Sequence, residues 1–512
     1  MNLDKLLTES KTNYKVYTPV NIAREIVAKA LFFYFTSNNK KKLLKLRATD
    51  LACGNGNLLI VLIESLIKIH KIYFGYYDYK EEWVEGYDLD KNALLEFEQR
   101  ASELFTKYKL NKKVKLFNED SLSINFKKSY NIIIGNPPYL GEKNNREIFE
   151  KLKETDFGKK HYQGKMDFLY FFILKGLELL DKDGSLCYIT TNYWLKADGA
   201  SKLRESVKNQ SYFSYINNIN KSVFKDAIGQ HNIIFALQKK KINETLVINE
   251  KEKFRISHKF LYEKTGKISL LSPEDFDFCK RLAKNSKFTL GEKFNVNQGI
   301  VSGHDKAFVF DEYKEEFFEF LKPFYKNKDI HKYRISKALY YILYLDGKKN
   351  PNEKLITYLE DYKEKLESRR EVKKNRINWW ELQWSRDEKI FQDIKIVARQ
   401  RNRRNDFALV SDEFYASADV YYITPKDTEI NMYYILAYLN SEVFYKWFRL
   451  QGKNKGEFLE LYSTPLKEVP IIYENDKNIL EKIENLIKKQ MENFSKEIQK
   501  EIDGYFTSKI KD

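Results

Sequence analysis

The run Tyr130-Asn131-Ile132-Ile133-Ile134 ends abruptly in Gly135-Asn136-Pro137-Pro138-Tyr139. An apolar stretch broken only by Asn131 is the pattern of a strand buried on both faces, as in a parallel sheet covered by helices. Two consecutive prolines donate no N–H and fix two φ angles, so the strand cannot run on through them. A chain built around this segment is constrained to an α/β architecture. A rigid, polar and aromatic loop then stands at one strand's carboxyl end.

The flanking sequence fits that constraint. Helical spacing occurs over Val20 to Phe35 (opened by Thr18-Pro19), Asn57 to Tyr73, Asn92 to Tyr108 and Met166 to Leu180. Strand-like stretches fall at Ala48 to Cys53, Trp83 to Leu89, Val114 to Phe117, Leu186 to Thr190, Tyr212 to Ile219 and Asn232 to Leu237. This alternation predicts a Rossmann-like, doubly wound α/β domain with a mostly parallel sheet over residues 1–255. From 256 to 512 the alternation is lost, and a second, mixed α+β domain is expected. The tail from Ile479 to Ile502 reads as one helix with Ile483, Leu486, Ile487, Met491, Phe494 and Ile498 at apolar positions. The run is short, which favours packing back onto its own domain over a dimerising coiled coil.

Composition narrows the partners. Ninety Lys+Arg against 73 Asp+Glu give a net charge of +17, a reason to look for a polyanion. The three cysteines, Cys53, Cys187 and Cys279, lie far apart, so neither a disulfide framework nor a zinc site is expected. Met1 to Ser10 lacks the order of a signal peptide, and the apolar run Phe168 to Leu174 is too short to span a bilayer. The expectation is a soluble, cytoplasmic protein without a metal.

Asp50-Leu51-Ala52-Cys53-Gly54-Asn55-Gly56-Asn57 sits where a core strand meets a helix. Glycines there let the backbone approach a ligand. The third glycine of the dinucleotide fingerprint is missing, so a nucleotide without a pyrophosphate fits better than NAD or FAD. Asp88 and Asp120 close two further strands, which brings three acids to the carboxyl edge where open α/β sheets bind ligands. In the Asn-Pro-Pro-Tyr loop, the Asn136 side-chain oxygen and a neighbouring carbonyl can accept both hydrogens of an exocyclic amino group. Tyr139 offers a flat face for a base.

With these motifs in this order, the chain resembles the gamma-class, TaqI-like N6-adenine DNA methyltransferases of restriction–modification type. The resemblance covers nearly the whole chain and implies S-adenosylmethionine as cofactor. Tyr17, Thr18 and Pro19 look like the opening cofactor motif; Asp50, Ala52, Cys53 and Gly54 look like the glycine motif. Asp88 and Leu89 stand at the ribose position, and Asp120 and Ser121 at the adenine position. Asn136, Pro137 and Tyr139 look like the catalytic loop, with Asn136 also facing the cofactor. Phe224 resembles a second aromatic that sandwiches a flipped base. Arg399, Arg401, Arg403 and Arg404 resemble part of the target-recognition domain and are candidates for DNA binding. The implied partners are double-stranded DNA and a separate restriction endonuclease, with the chain itself a monomer. Too little chain precedes Asp50 for a fused nuclease, so no DNA cleavage is expected. N4-cytosine, RNA-adenine and protein-glutamine methylation share the loop chemistry and remain as alternatives.

Overall fold

Tyr130–Gly135 stands in the middle of a nine-stranded sheet, in a computed structural model that describes residues 18–35, 39–224, 230–250, 252–263, 265–427 and 429–510. The strands are β1 (Ala48–Asp50), β2 (Val84–Tyr87), β3 (Lys115–Phe117), β4 (Tyr130–Gly135), β5 (Leu180–Thr191), β6 (Tyr212–Asn218), β7 (Asn232–Gln238), β8 (Glu244–Asn249) and β9 (Glu252–Ser257). Their spatial order is β3-β2-β1-β4-β5-β7-β6-β8-β9. The first five run parallel, β7 runs antiparallel to both β5 and β6, and β8 and β9 form an antiparallel pair at the edge. The order reverses between β1 and β4, which is where ligands enter open α/β sheets.

Helices cover both faces, as the doubly apolar strand demands. Ile132 and Ile134 of β4 belong to one buried cluster with α1 (Val20–Tyr34), α2 (Asn57–Phe74) and α3 (Lys91–Lys107). Ile133 belongs to the cluster on the other face with α4 (Leu169–Leu179) and α5 (Ser201–Gln210). Strand β5 starts at Leu180 rather than Leu186, joining β4 through a slip of register between Tyr130 and Ile132.

The chain divides into two compact units at Pro273/Glu274 rather than at 255/256. Strand β9 crosses the expected boundary, and Ile256, Leu261, Ile268 and Leu270 are buried in the first unit's core. The polar alternation of Glu252-Lys253-Phe254-Arg255-Ile256 is that of an edge strand, which hid its membership of the sheet.

The second unit is mixed α+β. One of two four-stranded sheets among its described residues is antiparallel, with β10 (Phe294–Gln298), β11 (Lys395–Arg399), β12 (Phe407–Val410) and β13 (Val420–Pro425) in the order β10-β13-β11-β12. Against it pack α6 (Met432–Leu439) and α7 (Glu442–Gln451). The tail is two helices, α8 (Lys477–Glu492) and α9 (Lys496–Ser508), not one. Asn493 is extended and the Ser495 hydroxyl caps the second helix by accepting from Glu497 and Ile498 N–H, a competing local hydrogen bond that restarts the helix. Ile483, Ile487, Ile502 and Phe506 bury themselves in this unit's own core. Among the described residues no helix is long and apolar enough to cross a membrane.

Candidate active site

The turn after β1 is shaped by its glycines. Gly54 and Gly56 have φ of +54° and +79°, a region that costs any other residue strain. A Cβ on Gly56 would stand 2.3 Å from the Phe97 ring, whereas one on Gly54 would meet nothing within 4 Å. The first glycine opens towards space and the second lets α3 close on the turn. Asp50, only 3% exposed, accepts the Ala52 N–H at 2.9 Å. Burial, followed by the neighbouring Asp88 charge, raises its carboxyl to a pKa of about 7 against the pull of that N–H. Asp88 is also buried: one oxygen accepts the Gly54 N–H at 2.8 Å and the other the Asp90 N–H at 2.9 Å. It therefore ties the end of β2 to the glycine turn. Leu89 is half-buried beside it, and Cys53 is buried, its N–H donating to the Tyr87 carbonyl at 2.9 Å. The Ser121 hydroxyl donates to the Leu51 carbonyl at 2.7 Å, joining the Asp120 turn to the same edge.

Strand β4 delivers Asn136 beside this turn. A Cβ on Gly135 would lie 3.4 Å from the Asp50 carboxylate and 2.9 Å from the Tyr188 ring, so the strand end must be glycine to fit. The Asn136 carboxamide is held at both ends: its N–H donates to the Thr18 hydroxyl at 3.2 Å, and its oxygen accepts the Tyr139 hydroxyl at 2.7 Å. Tyr139 also points at the Ile189 carbonyl of β5, at 3.2 Å. Burial and the Asp167 charge push this phenol well above its usual range, so it stays a donor. Pro137 is buried and Pro19 half-buried. The hydroxyl of Tyr139 thus has a fixed job, which a reading of the ring as a stacking face alone did not anticipate.

Phe224 lies in the buried cluster on the α1–α3 face at 4% exposure, so its ring is a core surface here rather than an open face. Tyr17 lies outside the described residues. The four arginines are all engaged within the second unit. Arg399 donates to the Ile330 carbonyl at 2.7 Å; Arg401 pairs with Glu460 at 3.0 Å; Arg403 faces Glu457 at 3.7 Å; Arg404 pairs with Glu442 and lies over the Tyr445 ring. Arg399 is thereby tied to the Ile330 strand through its Nε. The Arg403 and Arg404 pairs are exposed and of the kind that solvent screens, whereas Arg401 reaches a buried Glu460 carboxylate.

Two residues escaped the sequence reading. Asp167, at the start of α4, accepts the N–H groups of Leu140 and Leu169, both at 3.1 Å. One carboxylate so clamps the exit of the Asn136–Tyr139 loop to the helix that follows. Burial raises it to a pKa of about 6, against those N–H groups. Asn232, fully buried at the start of β7, donates to the Thr190 carbonyl at 3.4 Å and accepts the Val223 N–H at 3.0 Å. Among the described residues no cluster of His, Cys, Asp and Glu could hold a metal ion.

The sequence pattern of the Eco57I restriction-modification methylases matches residues 25–224, and that of the TaqI-like C-terminal specificity domain matches 322–471. The Type II methyltransferase M.HindII of Haemophilus influenzae is 27% identical over 431 residues, covering 74% of this chain and 82% of that protein. The Type II methyltransferase M.BanIII of Aneurinibacillus aneurinilyticus is 22% identical over 537 residues, covering 89% and 88%. In fold, the chain resembles the Type IIL restriction-modification enzyme MmeI, solved in complex with DNA, with a TM-score of 0.64 at 12% identity over 99% of this chain and 74% of that one. The two patterns follow one another along the chain in the order of its two units, the first ending on Phe224 and the second falling wholly beyond Glu274. In sequence, then, this chain is similar to the Eco57I restriction-modification methylases over its first unit and to the TaqI-like specificity domains over its second, as the Type II methyltransferases it resembles also indicate.

Proposed function

We propose that this protein is a site-specific DNA adenine methyltransferase that moves a methyl group from S-adenosylmethionine to the N6 amino group of an adenine extruded from duplex DNA. The observation that carries the reading is the Asn136 carboxamide, fixed between the Thr18 and Tyr139 hydroxyls at the carboxyl end of β4. Its oxygen retains a lone pair for an incoming amino hydrogen. The Pro137 carbonyl is the natural second acceptor in a loop whose prolines supply no donors. Two such acceptors favour a tetrahedral amino nitrogen and free its lone pair from the ring. Catalysis then rests on positioning and electrostatics.

The residues at the β1/β4 edge fit the cofactor. Gly54 opens onto free space, while Asp50, Asp88 and Ser121 are drawn to one sheet edge by the bonds described above. S-adenosylmethionine, when bound, supplies the electrophilic sulfonium methyl. Asp88 is assigned to its ribose hydroxyls, Asp120 and Ser121 to its adenine, and Asp50 to its ammonium end. The buried Asp50 gives a test. It is half-protonated near pH 7, and its ionised form suits a cation, so cofactor affinity should rise with pH through that value. Below it, affinity should fall by up to about tenfold per pH unit. Titration calorimetry between pH 5 and 8 measures this slope; Asp50→Asn should flatten it, and a slope that survives the substitution removes Asp50 from the role.

Extruding a base costs roughly a few kcal/mol, and stacking against Tyr139 offsets about 1–3 kcal/mol of it. Phe224 joins that stack only if the base reaches its buried ring. Duplex DNA is the proposed polyanion for the +17 charge, with the second unit carrying recognition. Replacing Arg401, Arg403 and Arg404 together by Ala is expected to weaken DNA binding at unchanged cofactor affinity. The salt slope should shrink by about 0.9 for each phosphate that is no longer neutralised. Unchanged affinity and slope would leave these arginines to their glutamate partners alone. Mass analysis of nucleosides from duplex DNA methylated by the purified chain tests the whole reading, since N4-methylcytosine or no DNA product would each replace N6-methyladenine as the answer.

A further inference from the structure

Helix α4 buries nearly its whole surface, and among its apolar side chains it buries one cation. Lys175 is 7% exposed between Leu174 and Gly176. An ammonium is costly to remove from water unless its protons are met, and a Met of similar length would fill the space without that cost. The hydrogen-bond partners of Lys175 are carbonyls, its near neighbours include ring faces, and the Glu178 and Asp120 carboxylates attract it from further off. Its Nζ donates to the Ile124 carbonyl at 2.8 Å and the Leu122 carbonyl at 3.4 Å, and lies 4.9 Å and 5.4 Å from the Phe157 and Phe126 ring centres.

Those carbonyls belong to the turn that opens at Asp120. Its N–H side is closed internally. The Leu122 N–H and Ser123 hydroxyl donate to the Asp120 carboxylate at 3.0 Å and 2.6 Å, and the Ser123 and Ile124 N–H groups donate to the Asp120 carbonyl. Ser121 ties the turn to Leu51, one residue from Asp50. The carbonyl side has Lys175. We propose that Lys175 is a positioning residue for the adenine end of the cofactor site, gathering the Leu122 and Ile124 carbonyls so that the Asp120–Ser121 corner is fixed. The inference rests on the S-adenosylmethionine reading above and adds a residue that acts through the carbonyl side of the turn.

The test uses the full chain and two non-reacting probes, S-adenosylhomocysteine and its inosine counterpart, which lacks the amino group that Asp120 would accept. Lys175→Met should raise the S-adenosylhomocysteine Kd about tenfold, the scale of a lost charged hydrogen bond. It should also narrow the preference for the adenosyl over the inosyl probe, while the melting temperature changes little, since the relieved burial of the ammonium offsets the two carbonyls left without a donor. Lys175→Gln, which keeps an N–H donor, should fall between wild type and Met on both measures. Wild-type affinity and wild-type base preference in Lys175→Met would overturn the proposal, as would a Kd rise that leaves the base preference intact. Should the Met variant not fold, the Gln variant decides by the same comparison. Failure of the wild-type chain to bind S-adenosylhomocysteine at all would remove the cofactor reading itself, a result distinct from the others.

Discussion

Asn136→Ala is expected to lower the single-turnover methylation rate about 10²- to 10³-fold, the scale of removing one electrostatic interaction made mainly in the transition state. Cofactor and DNA affinities should survive, because the cofactor turn and the second unit are held by other residues. The substitution also leaves the Tyr139 and Thr18 hydroxyls without their shared partner, so a loss of about 1–3 kcal/mol in stability accompanies it. Asn136→Asp separates the two effects. It keeps an acceptor for the Tyr139 hydroxyl and for a substrate N–H, but loses the amide donor to Thr18. It should therefore recover part of the rate. A near wild-type rate in Asn136→Ala would end the catalytic assignment of the loop.

Tyr139 should fail in two steps. Were the ring only a stacking face, Tyr139→Phe would retain much of the activity. The structure gives the hydroxyl work of its own, at 2.7 Å from the Asn136 oxygen and 3.2 Å from the Ile189 carbonyl. Losing it frees the Asn136 carboxamide to turn, so Tyr139→Phe is expected to cost about tenfold in rate, near one hydrogen bond to a buried group. Tyr139→Ala should lose the stack as well and fall a further tenfold or more. The fluorescence of 2-aminopurine at the target position separates the terms: it should report extrusion by the Phe variant and little by Ala. Equal rates in the two variants would assign the whole effect to the hydroxyl.

The sheet was legible because its constraint is local. Three isoleucines in succession need apolar cover on both sides, and two prolines end the strand wherever it folds. Ile132 and Ile134 duly face one set of helices and Ile133 the other. The three carboxylates were legible because each stands at or just past the end of a short strand-like stretch that is followed by a turn. What was not legible depends on partners distant in sequence. The arginine run looked like free charge because Glu460 and Glu442 arrive from other elements. Phe224 reads in sequence as a second aromatic for a base sandwich, and its place in a buried cluster with residues of β4, β5 and β7 comes from packing that spacing does not show. Asp167 and Lys175 sit in a segment whose apolar periodicity drew attention away from its polar members. Sequence spacing finds the groups that face a ligand; the groups that hold them still are found through their packing.

The position of the seam between the two units carries an evolutionary consequence. Each unit fills its own apolar clusters with its own residues, and the first keeps the stretch after β9, through Leu270, for itself. If the second unit carries target recognition as proposed, substitutions on its reading surface leave the first unit's apolar clusters untouched. On that reading, new target sequences are sampled by drift or by exchange of the segment from Glu274 onward, while the first unit is inherited unchanged. The same partition sets where such an exchange must be cut: a junction at 255 would carry Leu261, Ile268 and Leu270 away with the wrong half and leave the first core open.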